Sequence, residues 1–275
     1  MSAPEELLEE VLGRYSAAPD PRLKQIMEAA IRHLHAFVRE VDLTRDEWFA
    51  GIKFLTEAGQ WCTDNRQEWI LMSDTLGVST LVEMLNYAAS PGTTDNTVLG
   101  PFYVPGSPVR AHGESMLIEP DDGDRVVIRG RVTDVDGQPI AGAVLDCWQN
   151  ATAGFYAVQQ PDVQDPENLR GIYHTLDDGT YEIRTVRPVP YPIPYDGPVG
   201  RLLKANSRGW MRPGHTHVWL KADGFKELIT HVFDRESDYL DSDAVFGVRN
   251  ALVASFQPDA NGELATTFDF VLDRI

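Results

Sequence analysis

The sequence has few cysteines and few positive charges. Its only cysteines, Cys62 and Cys147, are far apart in the 275-residue chain, and each stands beside a tryptophan. We therefore expect two small buried hydrophobic side chains rather than a disulfide framework or a zinc cluster. Lys plus Arg total 24 against 42 Asp plus Glu, a formal net charge of −18. This charge argues against nucleic acid or an anionic membrane surface as a partner.

Long apolar runs and common zinc motifs are also missing. No stretch of 18 apolar residues occurs, so no membrane span is predicted. Residues 1–6 are acidic, whereas a signal peptide would be basic and then apolar, and this predicts a cytoplasmic protein. Neither His-Glu-x-x-His nor Cys-x-x-Cys is present, which excludes the common zinc hydrolases and zinc fingers.

Proline is absent between Arg22 and Ser90, and this stretch has helical periodicity. Thr44 with Glu47 and Thr80 with Glu83 have the spacing of capping boxes at helix starts. The pattern predicts several helices joined by short loops. An apolar stripe in the first of them suits a buried intrachain face and a dimer interface equally well. The stripe consists of Leu23, Ile26, Met27, Ala30, Ile31, Leu34 and Phe37.

From about residue 125 the apolar period changes to two, which is typical of β-strands. Asp136-Gly137 and Asp223-Gly224 predict hairpin turns. We predict a mainly β protein with a helical amino-terminal part: helices over 1–105 and an antiparallel β-sandwich over 106–275 that holds the functional site. The predicted strands cover residues 125–132, 143–148, 181–185, 217–221, 228–233 and 268–272.

Two histidines and some of the nine tyrosines are the candidate metal ligands. His215 and His217 enter an apolar strand, where residues two apart face the same side and can reach one ion. Tyr156, Tyr191 and Tyr195 follow a predicted strand or lie in a proline-rich loop. Because the phenol pKa is about 10, two tyrosines with two histidines would favour ferric iron over zinc or copper. A structural role for any single tyrosine remains open at this stage.

The chain resembles the intradiol ring-cleavage dioxygenases, non-haem iron(III) enzymes that split catechols between their two hydroxyls. The resemblance extends over nearly the whole chain, and its motifs stand in family order. They are Arg66–Leu76, Thr97–Phe102, Asp146–Asn150, Gly154–Tyr156, Pro188–Pro198 and Arg212–His217.

The resemblance implies one Fe(3+) per chain and assigns roles to individual residues. Tyr191 is expected to leave the metal and take a proton when substrate binds. Arg212 matches the family arginine that stabilises negative charge on the bound substrate. Tyr195 lies four residues after the family's ligand position and is assigned to the loop wall. The expected iron ligands are Tyr156, Tyr191, His215 and His217.

Further features resemble the hydroxyquinol-cleaving branch of the family. His231 stands where catechol-specific members commonly carry glutamine. Leu71 and Asp74 share a helix face, and in that branch an acidic group there could accept a hydrogen bond from a third substrate hydroxyl. Asp74 could equally cap its helix or form a salt bridge on it. The substrate-binding residues implied by the resemblance are Leu71, Asp74, Val98, Leu99, Gly100, Pro101, Pro194, His231 and Val245.

The activity implied is cleavage of hydroxyquinol (benzene-1,2,4-triol) with O2 to 3-hydroxy-cis,cis-muconate, which tautomerises to maleylacetate, in the catabolism of aromatic compounds. Catechol or a chlorocatechol is the alternative substrate. A metal-free β-sandwich binding module with a helical dimerisation arm is the alternative from another class. The resemblance also implies a homodimer joined through the amino-terminal helices, with room for a bound lipid at that interface.

Overall fold

The computed structural model describes residues 2–63, 66–87 and 90–275. The chain divides into two compact units, Met1–Glu57 and Ala58–Ile275. The predicted domain boundary at residue 105 falls inside the second unit, and a division at that position stays a prediction. No helix in the described ranges is long and apolar enough to cross a membrane.

The first unit is helical, as its periodicity predicts. Thr44 and Glu47 form the predicted capping box: the Thr44 amide donates to Glu47 Oε2 at 2.9 Å, and the Glu47 amide donates to Thr44 Oγ1 at 3.3 Å. The Asp20 side chain accepts from the Arg22 amide at 2.8 Å and so caps the amino terminus of the helix that begins at Pro21. The helices that begin in this unit are α1 (Ala3–Tyr15), α2 (Pro21–Glu40) and α3 (Arg45–Gln60).

The apolar stripe of α2 lies largely at the surface of the chain. Ile31 is buried, but Leu23, Ile26, Leu34 and Phe37 are 49%, 47%, 63% and 52% exposed. Most of the stripe is therefore exposed apolar surface on α2.

Three helices, α4 (Glu68–Thr75), α5 (Val78–Asn86) and α6 (Pro198–Ala205), belong to the second unit. The predicted capping box at Thr80 is wrong, because α5 begins two residues earlier, after Gly77 in the left-handed conformation with φ 73°. Thr80 lies inside α5, where its hydroxyl donates to the Val245 carbonyl at 3.1 Å. The Thr-x-x-Glu spacing is thus met by a helix-interior threonine that makes a tertiary contact.

Two five-stranded sheets and one two-stranded ribbon complete this unit. The first sheet has the order β10-β11-β1-β12, with β4 also paired to β1; the second has the order β3-β2-β7-β8-β9; β5 pairs with β6. The strands are β1 (Arg125–Asp134), β2 (Val144–Trp148), β3 (Arg170–His174), β4 (Thr180–Val186), β5 (Tyr191–Pro192), β6 (Met211–Arg212), β7 (His215–Lys221), β8 (Leu228–Asp234), β9 (Val253–Ala254), β10 (Gln257–Pro258), β11 (Leu264–Thr267) and β12 (Phe270–Leu272).

The main hydrophobic core joins side chains from both five-stranded sheets. Ile128 and Phe270 enter it from the first sheet, and Cys147, Val218 and Leu220 enter it from the second. Since successive side chains of a strand point to opposite faces, the residues between these core positions on β2 and β7 face away from the core. That second face carries the candidate site.

The sandwich is confirmed, but its sheets are mixed rather than strictly antiparallel. β1 runs parallel to β11 and β12, and β8 runs parallel to β9. Alternation of apolar residues identifies a strand without specifying its direction, so the sequence could not show this. Asp223-Gly224 joins the antiparallel pair β7–β8, as predicted. The turn predicted at Asp136-Gly137 is present, with an antiparallel bridge between Thr133 and Pro139 across it. It does not join β1 and β2 into a hairpin, because these strands lie in different sheets.

The two cysteines are both free. Cys147 is completely buried in the core, as expected, whereas Cys62 is half-buried.

Candidate active site

His215 and His217 lie side by side on the outer face of β7. They are buried, and their Nε2 atoms are 3.2 Å apart. Val218 and Leu220 of the same strand point the other way, into the core. The alternation of the strand thus brings the two imidazoles together, as the spacing predicted.

Two buried tyrosines bring their hydroxyls to the same point. Tyr156 Oη is 3.0 Å from His217 Nε2 and 3.2 Å from Tyr191 Oη. Tyr156 precedes a short 3-10 turn, and Tyr191 begins β5. Tyr195 lies elsewhere: it is half-exposed and stacks on Trp210, with ring centroids 5.1 Å apart. The structure therefore brings the hydroxyls of Tyr156 and Tyr191 to the His215–His217 pair. Tyr195 is not part of this cluster.

The protonation of His215 follows from its hydrogen bond. Its Nδ1 is 2.7 Å from the Pro213 carbonyl, which can only accept, so Nδ1 carries the proton. Burial and the nearby charge of Arg212 lower the pKa of His215 to about 3, and its ring is neutral. Its Nε2 consequently presents a lone pair to His217 and the tyrosines.

His231 lies on β8 directly opposite His217. Its Nε2 is 2.8 Å from His217 Nδ1, and its Nδ1 is 2.7 Å from Thr97 Oγ1. Both ring nitrogens of His231 therefore have partners, although one nitrogen from each of the three histidines lies within 4.8 Å of the other two. When His217 donates from Nδ1 to His231, its Nε2 also presents a lone pair.

Trp148 fixes the plane of the His217 ring from one side. The two rings stack with centroids 4.6 Å apart and an interplanar angle of 13°. Trp148 and His217 are register partners on adjacent strands, which places their rings over each other. His231 and Trp148 together leave His217 one orientation.

The donor set fits a hard, Lewis-acidic metal ion. The lone pairs of two neutral imidazoles and the oxygens of two phenols converge, and donor atoms about 3 Å apart match ligands that share one ion at about 2 Å. Burial, and then Tyr191, raise the pKa of the Tyr156 phenol well above its ordinary value. Such a phenol becomes a ligand only for an ion acidic enough to remove its proton. Two imidazoles and two phenols therefore fit a strongly Lewis-acidic metal ion.

Arg212 adds a fixed positive charge to the cluster. It is buried, and its Nη1 is 3.3 Å from Tyr191 Oη and 3.2 Å from His215 Nε2. Asp243 accepts from Arg212 Nε at 3.0 Å and from the Gly247 amide at 2.9 Å. Burial opposes the charge of the guanidinium, but the Asp243 carboxylate outweighs it and raises the pKa of Arg212. Arg212 therefore remains charged in an apolar setting.

Asp243, Trp148 and Thr97 were not assigned roles from the sequence. A buried arginine requires a carboxylate, and this rule could have prompted a search for the partner of Arg212. It could not have chosen Asp243 over the neighbouring acids Asp238 and Asp241, because partner choice depends on the tertiary fold.

Residues 97–102 bring one predicted pocket loop to the donors. Gly100 has φ 78°, and a Cβ at this position would lie 3.3 Å from His217 Cε1, so the loop runs directly against the ring. Leu99 packs on the cluster of Trp148, Tyr156 and Tyr191. The other predicted loop positions differ in how far they are enclosed: Val98 is buried, Pro194 is half-buried and Pro101 is exposed.

The remaining predicted substrate-binding residues lie on α4 (Leu71 and Asp74) and at Val245. Leu71 and Asp74 are both buried. Burial raises the pKa of Asp74, while the Ser79 hydroxyl and the charge of Arg212 oppose that rise. A Cβ at Gly247 would lie 3.0 Å from Arg212 Nη2 and 3.8 Å from Val245 Cγ2, which places Val245 next to Arg212. Asp74 thus lies within range of the Arg212 charge, and Val245 lies beside Arg212.

Two family models match successive parts of the chain. The model described as "Catechol dioxygenase N terminus" matches residues 20–94, and the model described as "Dioxygenase" matches residues 98–274. Together they span most of both compact units.

Named relatives cover nearly the full length. A hydroxyquinol 1,2-dioxygenase of Rhizobium sp. is 46% identical over 97% of this chain and 90% of its own. A 6-chlorohydroxyquinol 1,2-dioxygenase of Cupriavidus pinatubonensis is 46% identical over 97% of this chain and 96% of its own.

The fold is similar to solved structures of dioxygenases with the same kinds of names. Hydroxyquinol 1,2-dioxygenase of Pseudomonas putida has a TM-score of 0.94 and 44% identity, covering 99% of each chain. Catechol 1,2-dioxygenase of Acinetobacter sp. has a TM-score of 0.84 and 27% identity, covering 98% of this chain and 92% of its own. From the family models, the relatives and the shared fold it follows that this chain belongs to the intradiol ring-cleavage dioxygenase family.

Proposed function

We propose that the protein cleaves hydroxyquinol with O2 between its two adjacent hydroxyls, giving 3-hydroxy-cis,cis-muconate and, by tautomerisation, maleylacetate. Membership of the family and the names of its 46%-identical relatives support the reaction class. The observation that carries the choice of substrate is the buried carboxylate of Asp74, which lies within range of the Arg212 charge. A carboxylate there supplies the acceptor that a third ring hydroxyl needs and that catechol does not use.

The family implies non-haem iron, and we assign one ferric ion per chain to Tyr156, Tyr191, His215 and His217. When bound, ferric iron would supply the Lewis acidity that activates the substrate ring toward O2. His231 and Trp148 act on it only through His217, by holding the ring in place.

Tyr191 and Arg212 handle the proton and the charge of the substrate. Tyr191 Oη receives the proton of a substrate hydroxyl, which makes the tyrosine a general base at the point where the substrate binds. Arg212, within 3.3 Å of that oxygen, stabilises the negative charge that builds up on the ring. Its pairing with Asp243 means that the guanidinium is already charged and oriented before substrate arrives.

The pocket walls orient a flat ring and exclude water. Gly100 leaves the edge of His217 open, since a side chain there would press on the ring. Leu71, Val98 and Val245 are buried apolar groups on the surrounding elements. Apolar walls with one carboxylate suit a planar triol in one orientation.

Asp74→Ala tests the substrate assignment. The wild-type protein should turn over hydroxyquinol with a higher kcat/KM than catechol. The variant should lose about 10- to 100-fold on hydroxyquinol, the worth of a hydrogen bond to a charged acceptor, and only a few-fold on catechol. Steady-state oxygen uptake on both substrates measures the ratio.

Two comparisons sharpen this test. Ser79→Ala keeps the Asp74 carboxylate and should keep the preference for hydroxyquinol. Because burial raises the pKa of Asp74, its carboxylate is protonated at a higher pH than an exposed aspartate, and the preference should fall as the pH falls through that pKa. Asp74→Asn should remove this pH step. Equal losses on both substrates in Asp74→Ala would refute the assignment to hydroxyquinol and leave catechol or a chlorocatechol as the substrate.

We also propose that two copies associate through the exposed apolar stripe of α2. Leu34 and Phe37 are more than half exposed on that helix, and a second copy would remove such apolar area from water. Sedimentation should give twice the chain mass of 30.7 kDa; a species of single-chain mass at micromolar concentration would contradict the dimer. A lipid at that interface and a cytoplasmic location stay predictions.

A further inference from the structure

Glu68 is a completely buried acid that the reaction does not use. It is the first residue of α4, and its side chain has no exposed surface. Its Oε2 accepts from Arg66 Nε at 3.1 Å and from Arg66 Nη2 at 3.0 Å. A buried carboxylate is costly unless it is fully hydrogen-bonded, and this one has a further partner outside its own helix.

That partner is the first turn of α6. Glu68 Oε1 accepts from the Val199 amide at 2.9 Å. The residue before α6 is Gly197, which has no side chain to cap the helix. Glu68 therefore supplies the capping carboxylate from another helix, at the end where the helix dipole favours negative charge.

Gly197 permits this approach by having no side chain. A Cβ there would lie 2.5 Å from Glu68 Oε1 and 2.7 Å from Arg66 Nη2. Its φ of −93° is open to any residue. Close packing of the ion pair, rather than backbone conformation, accordingly explains the glycine.

Arg66 also reaches the loop that precedes α6. Its Nη2 donates to Asp196 Oδ1 at 2.9 Å and its Nη1 donates to Asp196 Oδ2 at 3.1 Å. The Asp196 side chain is 66% exposed, so this arm contributes little to stability. The buried Glu68 arm carries most of the connection.

The linked elements are the two that carry the substrate-facing groups. Leu71 and Asp74 follow Glu68 on the short helix α4 at three-residue steps, on its buried side. Tyr191 and Pro194 precede Asp196 in the loop. A displacement of α4 relative to this loop would move Asp74 relative to Tyr191 and weaken the hydrogen bond that holds the third hydroxyl, because hydrogen bonds depend steeply on geometry.

We propose that Glu68, with Arg66, is a positioning residue that fixes α4 against the Tyr191 loop and thereby sets the preference for the triol over the diol. The proposal rests on the proposed function, because it requires that Asp74 receives the third hydroxyl. Glu68 touches neither substrate nor donors, and its effect is transmitted through the position of Asp74.

Glu68→Gln is the test variant, since it keeps the volume and removes the charge paired with Arg66. On hydroxyquinol its KM should rise on the order of tenfold, with kcat changed much less. On catechol KM should change less than about threefold. The visible tyrosinate–iron band of the substrate-free enzyme should be unchanged, because the ligands are not touched. Lysine lacks the planar fork with which Arg66 bridges both carboxylates. Arg66→Lys should therefore also raise the ratio of KM on hydroxyquinol to KM on catechol.

Asp134→Asn is the matched control for loss of a buried carboxylate. Asp134 lies at the end of β1, is 1% exposed at its side chain and accepts from the Asp136 and Gln138 amides at 3.0 and 2.9 Å. It should lower Tm as Glu68→Gln does and leave the substrate ratio unchanged. Asp196→Asn should leave both nearly unchanged.

The results of these variants separate the positioning role from its alternatives. If Glu68→Gln and Arg66→Lys keep the wild-type ratio of KM values, or if Asp134→Asn shifts it equally, the positioning role is overturned. Should Glu68→Gln fail to fold, Arg66→Lys alone decides. If the wild-type protein itself does not prefer hydroxyquinol, the proposed function fails first, and this is visible before any variant is made.

Discussion

His215→Ala should abolish both iron binding and ring cleavage. The substitution removes one of the two imidazole nitrogens that lie 3.2 Å apart, and alanine supplies no ligand atom in its place. The loss should exceed the roughly 10- to 100-fold that removing a residue behind a metal ligand costs. Metal analysis of the purified chain and oxygen uptake with hydroxyquinol measure the two effects.

His231→Gln separates the two ways of grouping the histidines. If the ligands are two histidines and two tyrosines, glutamine at 231 can still accept from His217 Nδ1, and iron should remain at one per chain with activity reduced. If His231 is itself a ligand in a three-histidine site, the variant should lose iron as His215→Ala does. His174→Ala, at an exposed position on β3, controls for loss of an imidazole. For the first variant, full iron content and activity in His215→Ala would disprove a metal site that includes His215.

The donor residues could be predicted from the sequence, whereas most of the residues that hold them could not. His215 and His217 have a local signal, because strand alternation alone puts them on one face. Tyr156 and Tyr191 became distinguishable from Tyr195 only through family motifs. The residues that support the donors act across long sequence separations, 31 residues in the case of Arg212 with its carboxylate partner. No periodicity encodes which distant residue a side chain will meet. These supporting residues include Asp243 and Trp148.

The fold shows the same difference between local features, which the sequence pattern predicts, and long-range pairings, which it does not. Helices and strands follow from apolar periods of about 3.6 and 2, and the capping box at Thr44 is local chemistry. Strand partners are not local: Asp136-Gly137 makes a turn, but the strands on either side of it enter different sheets. A local pattern can also mislead: Thr80 has the spacing of a capping residue, but its hydroxyl makes a tertiary hydrogen bond to the Val245 carbonyl.

Arg212→Gln should lower kcat by about 100- to 1,000-fold, the typical cost of removing one group that stabilises transition-state charge. It should also destabilise the fold, because Asp243, with a side chain 2% exposed, then loses its counter-charge. Leaving one member of a buried ion pair alone costs about 3–5 kcal/mol. Urea unfolding of the metal-free protein measures that stability, and oxygen uptake by the iron-loaded protein measures kcat.

The double variant Arg212→Gln/Asp243→Asn distinguishes the catalytic charge from the structural ion pair. Two neutral amides can hydrogen-bond to each other, and an asparagine in place of Asp243 can still accept from the Gly247 amide, so most of the lost stability should return. Activity should not return, because the guanidinium that lies within reach of Tyr191 Oη is gone. Recovery of kcat to within a few-fold of wild type in the double variant would mean that Arg212 only holds Asp243 in place. Recovered stability without recovered activity assigns the guanidinium to the chemistry and Asp243 to keeping it charged and oriented.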